Sequence, residues 1–182
     1  RVTFGDRQLT VSWSPPPPNG GSAVLSYELR IGGNLNRVVS GIGATTYTWT
    51  GLTNGAEYTF QVAATNAKGT GEWSSQSAPE HPLTTPDAPG QPSGQRGDQF
   101  IDVTWSPQGN GGDLITSYEV QRVGGESVQV TGQSYSWSNL PNGQAQSLRV
   151  RAYNRGGWGP WSAASAAVVP CGAPRPPTAV TA

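Results

Sequence analysis

Hydrophobic and polar positions alternate along most of this chain, and they do so twice in the same order. Leu9, Val11 and Trp13 take one side of a run whose other side is Thr10 and Ser12. At an offset of 92 residues, Ile101, Val103 and Trp105 alternate with Asp102 and Thr104 in the same way. A period of two marks a half-buried antiparallel strand, because successive side chains leave a strand on opposite faces. Ser26-Tyr27-Glu28-Leu29 returns as Ser117-Tyr118-Glu119-Val120. Tyr47-Thr48-Trp49-x-x-Leu52-x-Asn54-Gly55 returns as Tyr135-Ser136-Trp137-x-x-Leu140-x-Asn142-Gly143, and the run from Phe60 to Asn66 returns as Leu148 to Asn154. No window of comparable length favours helical spacing. Matched order over both halves is an internal repeat. Seven short strands per repeat, separated by Pro, Gly and Asn turns, predict an all-β chain of two tandem seven-stranded sandwiches.

The repeat sets the expected boundaries: residues 1–85 form the first module, with its first strand truncated, and 86–170 the second. Thr84-Thr85-Pro86-Asp87-Ala88-Pro89-Gly90-Gln91-Pro92 is the boundary, because proline cannot donate to a ladder and keeps a linker extended. Cys171-Gly172-Ala173-Pro174-Arg175-Pro176-Pro177 is a second linker of the same kind, so residues 171–182 read as a linker and the start of a third module. Thr178-Ala179-Val180-Thr181 would be that module's first strand. The chain holds no Met, and a fragment of a longer array is expected, with any anchor outside it.

Composition narrows the function classes. The 25 Gly and 16 Pro fall between apolar runs, where they act as turns, and seven Trp and six Tyr provide core anchors that a disordered chain lacks. A net charge of +0 with 12% charged residues leaves no electrostatic footprint for nucleic acid or anionic lipid. With one cysteine, Cys171, no intrachain disulfide can form. No N-x-Ser/Thr sequon occurs, and no apolar run is long enough to span a bilayer, so no direct membrane contact is expected of this segment.

A strand ending in Trp-Ser-Pro, then Tyr-Glu-Leu, then Leu-Thr-Asn-Gly-x-x-Tyr, then Val-Ala-Ala-Thr-Asn resembles the fibronectin type III pattern. The resemblance implies that Trp13 and Trp105 fill the core from the second strand and Tyr27 and Tyr118 from the third. It also implies that Tyr58 is a tyrosine corner, its hydroxyl tying the turn to upstream backbone. The second module departs here, with Gln146 in the equivalent place, so its corner must be held differently.

The stretch from Leu148 to Ser162 carries the sharpest candidate site. Phe60, Val62 and Ala64 match Leu148, Val150 and Ala152 as inward positions, which leaves Arg149 and Arg151 on one outer face. Trp158 and Trp161 lie three apart in a Gly/Pro context that suits a polyproline II turn, so both indoles could face the same way. Guanidinium groups stacked between indoles form a cation–π ladder worth about 0.5–1 kcal/mol per exposed pair. With Ser162, this set resembles a degenerate WSxWS signature of cytokine receptors. The first module holds half of it, Gly71-Glu72-Trp73-Ser74, with Gln61 and Ala63 in place of the arginines. Two readings stand: a ladder that stiffens the module, or a receptor-like ligand-binding pair. By the resemblance, ligand contact would fall on the elbow loops, residues 51–57, 106–113 and 154–161.

Arg96-Gly97-Asp98 is an integrin-type adhesion tripeptide on the turn before the second strand of the second module. Gly5-Asp6 stands at the same place in the first module, so Gly-Asp is also plain turn chemistry there. His81, the one histidine, has no Cys or carboxylate cluster at ligand spacing, and no glycine-rich segment joins a strand to a helix. No cofactor, metal site or catalytic residue is therefore expected. Low charge, missing disulfides and missing sequons resemble fibronectin type III arrays of high-GC Gram-positive bacteria such as bifidobacteria. The expectation is a cell-surface or extracellular protein-recognition module, with a host cytokine as the ligand that the resemblance implies. A structural spacer is the competing expectation. Exposed edge strands could pair with a second copy, but no residue pattern specifies an oligomeric state.

Overall fold

The computed structural model describes residues 1–17, 22–33, 37–174 and 176. The stretch Thr178–Thr181, read above as the opening of a third module, lies outside the described residues. Contacts divide the chain into two compact units, one of Arg1–Thr84 with Gly111–Asp113 and one of Thr85–Asn110 with Leu114–Ala182.

The first unit holds strands β1 (Val2–Gly5), β2 (Gln8–Ser12), β3 (Val24–Ile31), β4 (Arg37–Ile42), β5 (Thr46–Thr50), β6 (Phe60–Asn66) and β7 (Gly69–Thr70). They form a three-stranded sheet in the order β1-β2-β5 and a four-stranded sheet in the order β4-β3-β6-β7, all antiparallel. The second unit repeats this with β8 (Ser93–Arg96), β9 (Ile101–Thr104), β10 (Ser117–Arg122), β11 (Ser127–Val130), β12 (Ser134–Trp137), β13 (Leu148–Asn154) and β14 (Gly157–Trp158). Its sheets run β12-β9-β8 and β11-β10-β13-β14. Each unit is thus an all-β, two-sheet sandwich, as the alternating pattern predicts.

The inward residues of each pair of sheets meet in one core. Leu9, Val11, Tyr27, Leu29, Ile31, Trp49, Leu52, Tyr58 and Phe60 are buried together in the first module. Ile101, Val103, Trp105, Tyr118, Val120, Trp137, Leu140, Leu148 and Val150 are buried together in the second. The aromatic packing is duplicated. Trp13 meets Tyr27 edge-on at 5.4 Å and Trp105 meets Tyr118 at 5.5 Å, arrangements that suit the ring quadrupoles. Val62 and Ala64 are only partly buried but pack against the first core as expected of inward positions, and Ala63 on the opposite face of β6 is also covered.

The turn after β1 is built alike in both modules. Arg7 and Gln99 hold left-handed φ values of 54° and 61°, and their N–H groups donate to the side-chain carbonyls of Asn54 and Asn142. The amides of the same asparagines donate to Asp6 and Asp98 at 2.8 and 2.7 Å. A strained residue is held there by a side-chain clamp from the turn after β5 or β12.

The corners differ as the sequence implies. The Tyr58 hydroxyl accepts the N–H of Thr53 at 3.2 Å. In the second module the residue matching Thr53 is Pro141, which has no N–H to offer. A tyrosine at Gln146 would have no donor to meet, and proline instead stiffens the turn directly. The surrounding backbone bonds are kept: Tyr58 exchanges both with Glu80, and Gln146 exchanges both with Val168.

The last segment of each module departs from the strand expected there. Regular pairing with β6 or β13 ends after two residues, at β7 and β14. Thereafter every third residue bonds to every second residue of the neighbouring strand. Gly71, Ser74 and Ser77 donate N–H to Ala64, Val62 and Phe60, and Gly159, Ser162 and Ser165 donate to Ala152, Val150 and Leu148. Serine makes this possible. Its hydroxyl accepts the N–H that a regular ladder would send to a carbonyl: Val62 to Ser74 and Phe60 to Ser77, Val150 to Ser162 and Leu148 to Ser165.

Candidate functional site

This three-residue repeat sets the spacing of the tryptophans. Trp158 and Trp161 stand one repeat apart beside β13, whose outward residues are Arg149 and Arg151. The guanidinium of Arg151 lies over both indoles, 4.8 Å from the ring of Trp158 and 4.6 Å from that of Trp161. Arg149 stacks on Trp161 at 4.6 Å. Trp161 therefore carries two guanidiniums, those of Arg149 and Arg151. Trp158 also contacts Tyr153, with ring centroids 5.0 Å apart. The order along the face is Tyr153, Trp158, Arg151, Trp161, Arg149.

The neighbouring strand β10 satisfies the charges. Glu119 lies opposite Arg151 in the register and Gln121 opposite Arg149. Arg151 Nε donates to Glu119 Oε2 at 2.7 Å, and Arg149 Nε donates to Gln121 Oε1 at 2.7 Å. Burial alone would raise the Glu119 carboxyl. The hydrogen bonds from Ser127 and Arg151, with the charges of Arg151 and Arg149, outweigh it and hold the pKa below the usual carboxylate value. Ser162 lies beneath the ladder, buried, and fastens the segment to Val150. The five ladder residues therefore form one constellation, in which the guanidiniums of Arg149 and Arg151 are engaged with the indoles and with β10.

In the first module Trp73 carries one guanidinium, that of Arg30, at 4.7 Å. Arg30 comes from β3 rather than β6 and donates through Nε and Nη2 to Gln61 at 2.9 and 2.6 Å. Sequence comparison restricted to the β6 positions, Gln61 and Ala63, misses it. The cross-strand register Arg30↔Gln61 was the signal that could have found it.

Arg96-Gly97-Asp98 lies apart from the ladder, at the end of β8. Arg96 and Asp98 are exposed, but each of the last two residues has structural work. A Cβ on Gly97 would run into the ring of Phe100, and the Gly97 carbonyl accepts the N–H of Cys171 at 3.0 Å. Asp98 accepts from Asn142, and a Cβ on Gly172 would stand 2.6 Å from its carboxylate. Among the described residues no group of three His, Cys, Asp or Glu side chains could hold a metal ion. Among the described residues no helix is long and apolar enough to cross a membrane.

Two successive sandwiches of this topology, each with the Trp-Tyr core pair, define a tandem of antiparallel β-sandwich modules. The fibronectin type III domain model matches residues 1–80 and 87–168, and the chain belongs to that family. It is 28% identical to the human netrin receptor DCC over 169 residues, 84% of this chain and 12% of the receptor. It is 32% identical to endoglucanase B of Cellulomonas fimi over 163 residues, 81% of this chain and 15% of that enzyme. Among solved structures it is similar to chicken CNTN1 FN1-FN3 domains, with 23% identity, a TM-score of 0.47, and coverage of 91% of this chain and 63% of that one. The chain thus spans a small part of the curated relatives it matches.

Proposed function

We propose that the tandem is a non-catalytic protein-recognition unit of an extracellular or surface-displayed protein, in which the ladder of the second module is the scaffold and not the contact surface. The observation that carries this is the closure of the ladder on itself: Glu119 and Gln121 take hydrogen bonds from its arginines, and both guanidiniums stack on Trp161. Such a closed stack holds the loop from Asn154 to Trp161 in one shape, and preorganised loops bind at lower entropic cost. A receptor among the relatives supports recognition, and the cytokine-receptor likeness of the ladder supports a host cytokine as the ligand. The missing disulfides and sequons support a bacterial surface protein. The test is calorimetry of the tandem against a panel of host cytokines. A saturable heat, lost on substitution within 154–161, is expected; no heat across the panel overturns the recognition reading.

A spacer role is the second reading, favoured by the endoglucanase relative, in which the matching segment is a minor part of the chain. A tandem that binds nothing in the panel, yet whose removal from its parent lowers that protein's activity or display, supports it.

A further inference from the structure

In the second module the chain leading into β8 lies in a groove of its own sandwich. Pro86, Pro89 and Pro92 are buried, while Asp87 and Gln91 between them are exposed. A spacing of three places the prolines on one side of a polyproline II segment. Asp87 and Gly90 donate N–H to the carbonyls of Gly109 and Ser106 at 2.8 and 2.9 Å, and the Gln91 side-chain amide donates to the Ala164 carbonyl. One wall of the groove is therefore the loop after β9, and the other is the serine-fastened segment after β14. Gly159 belongs to that second wall, and a Cβ there would collide with the Pro86 carbonyl. Trp105, next to Ser106, is 6% exposed.

The first module has the same walls and leaves the space between them open. Pro17 matches Gly109, Gly71 matches Gly159 and Gln76 matches Ala164. Among the described residues, a Cβ on Gly71 would meet only the Ala64 carbonyl oxygen, at 3.6 Å. A cavity of about 720 Å³ lies against Pro17 and Gly71, where Pro86 and Asp87 lie in the second module. A further cavity of about 180 Å³ lies against Trp13 and Gln76, the place of Gly90 and Gln91. Trp13 is only partly buried.

We infer that this groove of the first module docks an extended arm of a partner protein whose prolines stand three apart. The second module displays such an occupant in cis, in the same place between the same two walls. Its acceptors are backbone carbonyls, so the change from Gly109, Ser106 and Ala164 to Pro17, Ser14 and Gln76 keeps them. A proline-spaced arm is already extended before it binds and loses little entropy on docking. The site does not rest on the cytokine reading, and either can fail alone.

The test adds the capped peptide Pro-Asp-Ala-Pro-Gly-Gln-Pro, the sequence of residues 86–92, to the whole tandem, with the indole N–H signals of Trp13 and Trp105 followed by NMR. The Trp13 signal should shift saturably, with a dissociation constant on the order of 1 mM, and the Trp105 signal should stay. The same peptide with alanine at its three prolines should bind about tenfold more weakly. Gly71→Leu sends a side chain into the open space and should abolish the shift while moving the melting temperature by no more than about 2 °C. The tandem alone should sediment as a monomer. Self-association relieved by the peptide would give the groove to a second copy and overturn the assignment to a partner. An unmoved Trp13 signal, equal affinity of the alanine peptide, or undiminished binding in Gly71→Leu overturns the proposal itself.

Discussion

Arg30 and Gln61 face each other across β3 and β6, and in the same register of the second module Gln121 and Arg149 face each other with the two residue types exchanged. The guanidinium ends on the equivalent indole either way, 4.7 Å from Trp73 and 4.6 Å from Trp161. What the fold requires is a cation over that tryptophan and an amide to hold it, and the strand that supplies each is interchangeable.

The exchange can be tested as a double-mutant cycle in the first module. Arg30→Gln should cost about 1 kcal/mol by removing the cation–π contact and a charge-assisted hydrogen bond. Gln61→Arg alone should destabilise by a similar amount, since two guanidiniums then oppose each other across the strands. The double exchange should return to within about 0.5 kcal/mol of the parent. Native-state hydrogen exchange at the β6 amides reads each value.

Trp161→Ala should weaken the second module far more than Trp158→Ala weakens it. Trp161 contacts both outward arginines of β13, whereas Trp158 contacts one of them and Tyr153. A loss of about 2–3 kcal/mol is expected for Trp161, lowering that module's transition by roughly 10 °C or more. The melting curve, with β13 exchange rates to assign it to the second module, checks this.

Glu119 gives the second module an acid-sensitive element. Its carboxyl is held below the usual value in the folded state, so the stability it contributes is fully present above the ordinary carboxylate pKa. That stability is lost as pH falls through the depressed folded value. Denaturation of the second module across this acid range should steepen with falling pH in the parent, and Glu119→Gln should flatten that dependence while lowering stability at neutral pH.

The strands, their order and the inequality of the two modules were legible in the sequence because a period of two and a repeat of 88 to 92 residues are both strong signals. The partners of the ladder were less so. Arg30, Glu119 and Gln121 reach it across a sheet, and only the strand register brings them there. The serine pairs Ser74/Ser77 and Ser162/Ser165 were visible as a Trp-Ser-x-x-Ser repeat, but a spacing of three belongs neither to a strand nor to a helix. Their job becomes clear only once the hydroxyls are seen to accept strand N–H groups.

The tyrosine corner follows from its donor. Tyr58→Phe should cost the first module about 1 kcal/mol, because the Thr53 N–H loses its acceptor. Gln146→Tyr should bring no matching gain in the second module, since Pro141 offers no N–H. Pairing it with Pro141→Thr should recover a stabilising coupling between the two positions. Thermal unfolding of the three variants measures it.

The aspartates of the two first turns allow a direct comparison of adhesion with architecture. Asp6 and Asp98 each accept from an asparagine that also holds a left-handed residue, Arg7 or Gln99. If turn chemistry is what these aspartates are for, Asp6→Ala and Asp98→Ala should cost their modules equal amounts, about 1 kcal/mol each. Arg96 is exposed and its side chain takes no part in the clamp, so Arg96→Ala should leave stability unchanged. Attachment of integrin-bearing cells to the immobilised tandem should likewise be unaltered by Arg96→Ala or Asp98→Glu. The adhesion reading requires the opposite outcome: loss of attachment in both variants. Asp98 is exposed, but its Oδ1 already accepts from Asn142, so a partner would have to share a carboxylate that the turn uses.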